Sequence, residues 1–193
     1  MLKDFILCYN KNIRFNSMNK LEQTILYLLA RAKEKGKNNL SKFELFKLLY
    51  LLEIESYKFT GKSFFNSSIS FVRDKNGPIS IDVYNALNIL KNDYINLTEE
   101  KKENYEFSRH CISLKNKLNK TNLAESEKLF INSIVESYIS LPMKELKKIV
   151  YATEPMEKML EAEKKKKVKV LKGEKLDFNC ITLDEDVLDL IAA

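Results

Sequence analysis

His110 and Cys111 are the residues whose chemistry comes closest to catalytic, and they stand side by side. A Cys–His pair activates a thiolate only when the imidazole reaches the sulfur. Neighbours on a strand point to opposite faces, so His110 would need Cys8 or Cys180 as its partner, and no spacing brings either to it. One histidine and three scattered cysteines do not make the paired spacing of a four-ligand zinc site or a disulfide framework. Four glycines, none clustered, give neither a P-loop nor a dinucleotide fingerprint. Glu53 with Glu55, and Glu99 with Glu100, read as solvated carboxylates on helical stretches. No reaction follows from these patterns, so the expectation is a chain without enzymatic activity, metal or cofactor that acts by binding.

The elements that would position a binding surface are clearer. Asn19 with Glu22, and Ser41 with Glu44, are capping boxes that open two helices. The first carries Leu21, Ile25, Leu28, Leu29 and Ala32 on one face and stops at Gly36. The second is apolar nearly all round from Phe43 to Leu52, which predicts the central buried helix, with Leu49 in the core. Thr60-Gly61-Lys62 ends it. Ile69 to Arg73 alternates as a half-buried strand, and Gly77-Pro78 turns the chain sharply into a helix that Ser80 caps and that carries Val83, Tyr84 and Leu87. Residues 105 to 114 read as a second strand in the same small sheet. Asn122 with Glu125 is expected to cap a helix whose Phe130, Ile134 and Tyr138 recur at i+4, with Phe130 and Ile134 buried. Ser140 caps a shorter one, with Ile149 in the core, that Pro155 ends or kinks.

The chain has 193 residues, a 45% apolar fraction and a net charge of +6, which fits one globular domain. No apolar run approaches the ~20 residues of a membrane span and no signal peptide is visible, so a cytoplasmic protein is expected. Of the 33 basic residues only Arg14, Arg31, Arg73 and Arg109 are arginine. Bidentate contacts to bases and phosphates favour arginine, so a Lys-rich, Asn-rich surface ranks DNA below protein as a partner.

In order and spacing, Lys47-Leu48-Leu49-Tyr50, Thr60-Gly61-Lys62, Phe71-Val72, Asn76-Gly77-Pro78-Ile79-Ser80 and Val83-Tyr84 resemble the Panacea, or SocA-like, antitoxin domain. Leu123-Ala124-Glu125, Tyr138-Ile139-Ser140-Leu141, Glu145-Leu146 and Thr153-Glu154-Pro155 resemble its closing helices. Met156 stands where the family often places Trp, and this chain has none. The resemblance implies a mainly α fold, a compact helical domain with a small antiparallel β element. It also implies an antitoxin that neutralises a cognate protein toxin encoded nearby by direct binding, and in some members hands the toxin to an unfoldase protease. The alternative function is a nucleic-acid-binding transcriptional regulator, since antitoxins often repress their own promoters.

The residues divide as an N-terminal arm at 1–18, the antitoxin-like domain at 19–160 and an accessory tail at 161–193, where Lys164 to Lys167 precede an acidic, leucine-bearing end. Tyr57, Phe59, Phe64 and Phe65 around the Thr-Gly turn, together with Gly77 and Pro78, are the candidate partner contacts. The same aromatics are equally suited to filling the core under that loop, because aromatics dominate both cores and interface hot spots. Leu190, Ile191, Ala192 and Ala193 resemble the small apolar end of degradation tags and form a candidate degron.

Overall fold

The computed structural model describes residues 18–100 and 108–184. Within them the fold is mainly helical with two small antiparallel sheets. Helix α1 (Lys20–Glu34) is opened by the expected capping box. The Glu22 N–H donates to Asn19 Oδ1 at 2.9 Å, and the Asn19 N–H donates back to the Glu22 carboxylate. Leu40–Ser41 is a two-residue strand, β1, and Ser41 caps α2 (Lys42–Thr60) through the second box with Glu44. Burial in α2 runs right round the helix, from Leu45 and Phe46 through Tyr50 and Leu52 to Ile54. This is the centre of the core, and the helices Glu125–Tyr138 and Met143–Tyr151 pack against it. A left-handed Gly61 at φ +67° ends α2.

Strands β2 (Val72–Asp74) and β3 (Gly77–Ile79) form a hairpin with Val72 opposite Ile79 and Asp74 opposite Gly77. The expected strand thus begins later than Ile69, although Ile69 and Phe71 are buried. The turn itself is Lys75-Asn76, and Gly77-Pro78 lies in β3. Gly77 takes φ +111° directly after the turn, a conformation in which any side chain would be strained.

Helix α3 (Ile81–Leu90) buries Val83, Ala86, Leu87 and Leu90. Ser80 is its N-cap residue without accepting a capping hydrogen bond; its hydroxyl faces Asp82, which accepts the Ser70 N–H instead. Strands β4 (Ile95–Glu100) and β5 (Arg109–Leu114) pair in full register, and β1 completes a sheet of order β1-β5-β4. Glu99 and Glu100 therefore sit on a strand and not on a helix. The two expected strands also belong to separate sheets, because β1 and β4 occupy both sides of β5.

Helix α4 (Glu125–Tyr138) starts at Ala124 rather than Asn122, with Glu127 accepting the Ala124 N–H. Its buried face is Ile131, Ile134 and Val135, which leaves Phe130 and Tyr138 half-buried at the margins. Pro142, not Ser140, stands before α5 (Met143–Tyr151), where Leu146 and Val150 are buried and Ile149 is partly covered. Pro155 opens α6 (Glu154–Lys166), as proline does in a first helical turn. Thr153 joins α5 and α6 to the core through its hydroxyl, 2.7 Å from that of Tyr50.

The boundary at residue 160 falls inside α6. Beyond that helix, residues 171–184 run back over β2 and α2, with Leu176 buried in the common core. No helix among the described residues is long and apolar enough to cross a membrane.

Candidate partner interface

The loop after α2 is built around a buried carboxylate. Glu53, on α2, accepts the backbone N–H groups of Phe64 and Phe65 at 3.0 and 3.4 Å and the hydroxyl of Ser63. Burial pushes the Glu53 carboxyl above its ordinary range, and the Ser63, Phe65 and Phe64 donors only partly offset this. Asn66 and Ser67 follow at φ +53° and +58°, two left-handed non-glycine residues in a row. Such backbone costs about 1–3 kcal/mol per residue and persists only where its surroundings impose it. Here Ser67 N–H donates to Ser63 Oγ, and Ser68 Oγ to the Phe65 carbonyl.

That loop drives Phe64 and Phe65 inward, and both are buried. From them a line of rings climbs to the surface. Phe65 meets Phe64 edge-on at 5.0 Å, Phe64 stacks on Phe130 at 5.9 Å, and Phe130 meets Phe59 edge-on at 6.5 Å. Phe59 is 47% exposed at the end of this line. Lys20 Nζ lies over the Phe64 ring, 4.1 Å from its centre. Tyr57 is half-buried on a different side, stacked on Phe178 at 5.5 Å.

Gly77 and Pro78 are buried as well. A Cβ on Gly77 would lie 3.4 Å from Tyr151 Cε2 and 3.6 Å from Lys47 Nζ, so glycine allows the hairpin to sit tightly against α2 and α5. Lys47 is 2% exposed and donates to the Asn76 carbonyl at 3.1 Å. Burial lowers its pKa to about 8, helped by the charge of Lys147. Alongside, Arg73 is buried against Glu163, with Nε–Oε1 at 2.9 Å, and Arg73 Nη1 donates to Tyr151 Oη at 3.1 Å. Burial alone would raise the Glu163 carboxyl, but the Arg73 guanidinium and the Leu171 N–H outweigh it and hold it below its usual range.

Of the six candidate contacts, then, Phe59 is the exposed one, Tyr57 is partly covered, and Phe64, Phe65, Gly77 and Pro78 shape the surface from beneath. Leu190 to Ala193 and Cys8 lie outside the described residues. Cys111 is buried on β5 opposite Thr98 and Ser41, while His110 points the other way, in register with Glu99. Burial pushes both the Cys111 and the Cys180 thiols up, so neither is an activated nucleophile. Among the described residues no three His, Cys, Asp or Glu side chains gather as metal ligands.

Glu53, read as solvated from the sequence, is instead buried, because the Phe64 and Phe65 N–H groups need an acceptor there. Sequence reasoning missed Phe130 as part of the aromatic line, and also Lys47 and Phe178. A charged residue inside an otherwise apolar helix was the available signal for Glu53 and Lys47. The pairing of Arg73 with Glu163, 90 positions apart, left none.

No curated protein matches this chain. The sequence model described as Antitoxin SocA-like, Panacea domain, matches residues 45–155, from the buried α2 through the hairpin and the aromatic loop to the first turn of α6. With more than half its length in that match, the chain belongs to the SocA-like, Panacea-domain antitoxin family.

Proposed function

We propose that this protein is a non-enzymatic, cytoplasmic antitoxin that neutralises a cognate protein toxin, encoded nearby, by direct binding. Membership of the antitoxin family across residues 45–155 carries this reading. The aromatic line ending at Phe59 supports it, since a rigid, half-exposed aromatic backed by buried rings is the kind of anchor on which interfaces concentrate their energy. The decisive experiment is co-expression with each neighbouring gene. The expected outcome is relief of toxin-induced growth arrest, with a stable complex on purification. Unrelieved arrest with no co-purifying neighbour, or salt-sensitive nanomolar binding to DNA alone, would overturn it.

Delivery of the toxin to an unfoldase protease is the second part of the proposal. It rests on the family resemblance, and a protease-dependent loss of the toxin in the presence of this protein tests it. Separately, Leu190 to Ala193 resemble degradation tags that would make the antitoxin itself labile. Replacing Ala192 and Ala193 by Asp should lengthen the protein's half-life in cells, and an unchanged half-life removes the degron.

A further inference from the structure

The outer edge of β2 is occupied by the chain's own far end. Arg73 N–H donates to the Glu174 carbonyl at 2.8 Å, Gly173 N–H to the Arg73 carbonyl at 2.8 Å, and Leu176 N–H to the Phe71 carbonyl at 3.0 Å. Val72 and Lys175 are therefore a non-hydrogen-bonded antiparallel pair, an isolated bridge through which residues 173–176 lie along the free edge of the hairpin. Two side chains anchor this strap. Leu176 enters the core, and Phe178 rests on a floor of Tyr50, Tyr57 and Phe71 with ring centres 5.7, 5.5 and 6.0 Å away. Lys172, Gly173, Glu174, Lys175 and Asp177 are all exposed.

Three observations separate the groove from its occupant. The floor and the strand edge lie within the residues matched by the family, 45–155, whereas the strap lies beyond them. The strap does not fill the space it crosses: an open cleft of about 380 Å³ remains between its residues 175–179 and Glu53, Tyr57, Ser67 and Ile69. The recognition elements are those of strand addition, with main-chain hydrogen bonds for affinity and one pocket for every second side chain, here Leu176 and Phe178.

We infer that this groove is a strand-accepting site for an extended segment of a protein partner carrying an aliphatic-x-aromatic pattern, and that residues 171–184 are a displaceable strap holding the site in its closed form. The inference deepens the antitoxin reading and relies on it for the partner being a toxin. The groove itself is testable without any toxin. Tyr57, one of the candidate contacts, comes within a partner's reach once Phe178 leaves it.

The probe is a fluorescein-labelled peptide of residues 170–184 with Cys180→Ser. It is titrated into full-length protein in two forms. One is loosened by Leu176→Ala with Phe178→Ala. The other is locked by Val72→Cys with Lys175→Cys in a background of Cys8→Ser, Cys111→Ala and Cys180→Ser; a non-hydrogen-bonded pair has the Cα separation a disulfide needs. The loosened form should bind at least about ten-fold more tightly than the oxidised locked form, and reductant should return the locked form to wild-type behaviour. A folded loosened form that binds no better than the locked one overturns the inference.

Should the loosened form fail to fold, hydrogen exchange on the wild type decides. The amides of Arg73, Gly173 and Leu176 should exchange far faster than those at the centre of α2. Exchange at a common rate overturns the inference. With purified cognate toxin, a wild type that binds and an oxidised locked form that binds equally well overturn the groove and leave the antitoxin reading standing. A wild type that binds no toxin overturns the antitoxin reading, and the peptide result still decides the groove.

Discussion

The sheet β1-β5-β4 and the hairpin β2-β3 both lean on α2, yet different forces hold them there. The sheet is seated by apolar side chains, with Leu40, Ile95 and Ile112 all buried beneath a six-pair ladder between β4 and β5. The charge beside it reaches solvent through its partners: the buried Glu44 meets Lys37 at 2.8 Å and Arg109 at 3.0 Å, both partly exposed. The hairpin has three residue pairs and sets charges inside: Arg73 against Glu163, and Lys47 against a carbonyl. An apolar contact tolerates approximate fit, whereas a buried charge holds only while its partner is in place. The element that carries the Gly-Pro segment and the strap edge is thus also the one whose attachment is most easily perturbed by a single change or by pH.

The largest expected break in this comparison is Glu163→Ala. It leaves Arg73 charged and buried without a counter-ion and removes the acceptor of the Leu171 N–H, so it should cost about 3–5 kcal/mol in urea unfolding at neutral pH. Replacing both partners, Arg73→Met with Glu163→Leu, should recover most of that loss. A cost below about 1 kcal/mol for the single change would mean the pair contributes little. The Glu163 carboxyl is held below its ordinary 4.5, so its contribution is present above that pH and is lost on acidification through the folded value.

Lys47→Met tests the other buried charge and has the opposite sign. The folded pKa of about 8 lies below the ordinary 10.5, so between these values the unfolded chain binds the extra proton and stability rises with pH. At neutral pH the desolvated ammonium costs about 3 kcal/mol relative to its neutral form. Lys47→Met should therefore be the more stable protein near pH 6–7, less whatever the Asn76 carbonyl loses with its donor. Its advantage should shrink between pH 8 and 10.5. Burial also pushes Tyr50 and the two thiols above their ordinary values, so the wild-type minus variant difference is the quantity to follow. A difference that stays constant over that window would refute the assignment.

The same contrast explains what could be read from the chain. The capping boxes at Asn19 and Ser41, the core role of α2 and the inward face of α3 are local: a cap and an apolar period within one element decide them. The sheet's inner face, too, is an apolar pattern. What escaped was non-local. No local feature announces that β1 will pair with β5, that Glu53 will hold Phe64 and Phe65 inward, or that Phe178 will return to cover Tyr57. Tyr57, Phe59, Phe64 and Phe65 are neighbours of one turn in sequence, but their division into exposed, covered and buried depends on these long-range partners.

Ile112→Val sharpens the sheet's side of the comparison. It removes one methyl from a fully buried site that lacks charge, so it should cost about 0.5–1.5 kcal/mol with no pH dependence from 6 to 10. A cost that varied with pH would mean that the sheet, like the hairpin, depends on a coupled ionisable group.

Phe59→Ala should have the smallest effect on folding and the clearest effect on binding. The ring is 47% exposed, and its closest aromatic contact is an edge-on approach to Phe130 at 6.5 Å, so its loss should change stability by about 0.5 kcal/mol or less. Phe64→Ala, beneath the same surface, removes a buried ring that meets Phe65 and Phe130 and should cost about 3–5 kcal/mol. The pair separates a contact residue from a supporting one. If the aromatic line ends in a partner-binding anchor, Phe59→Ala should weaken the complex with the cognate toxin by about 2 kcal/mol or more while the melting temperature barely moves. Phe64→Ala should weaken it only to the extent that it unfolds the protein. Unchanged toxin affinity for a folded Phe59→Ala variant would place the anchor elsewhere and leave the strap groove as the surface to pursue.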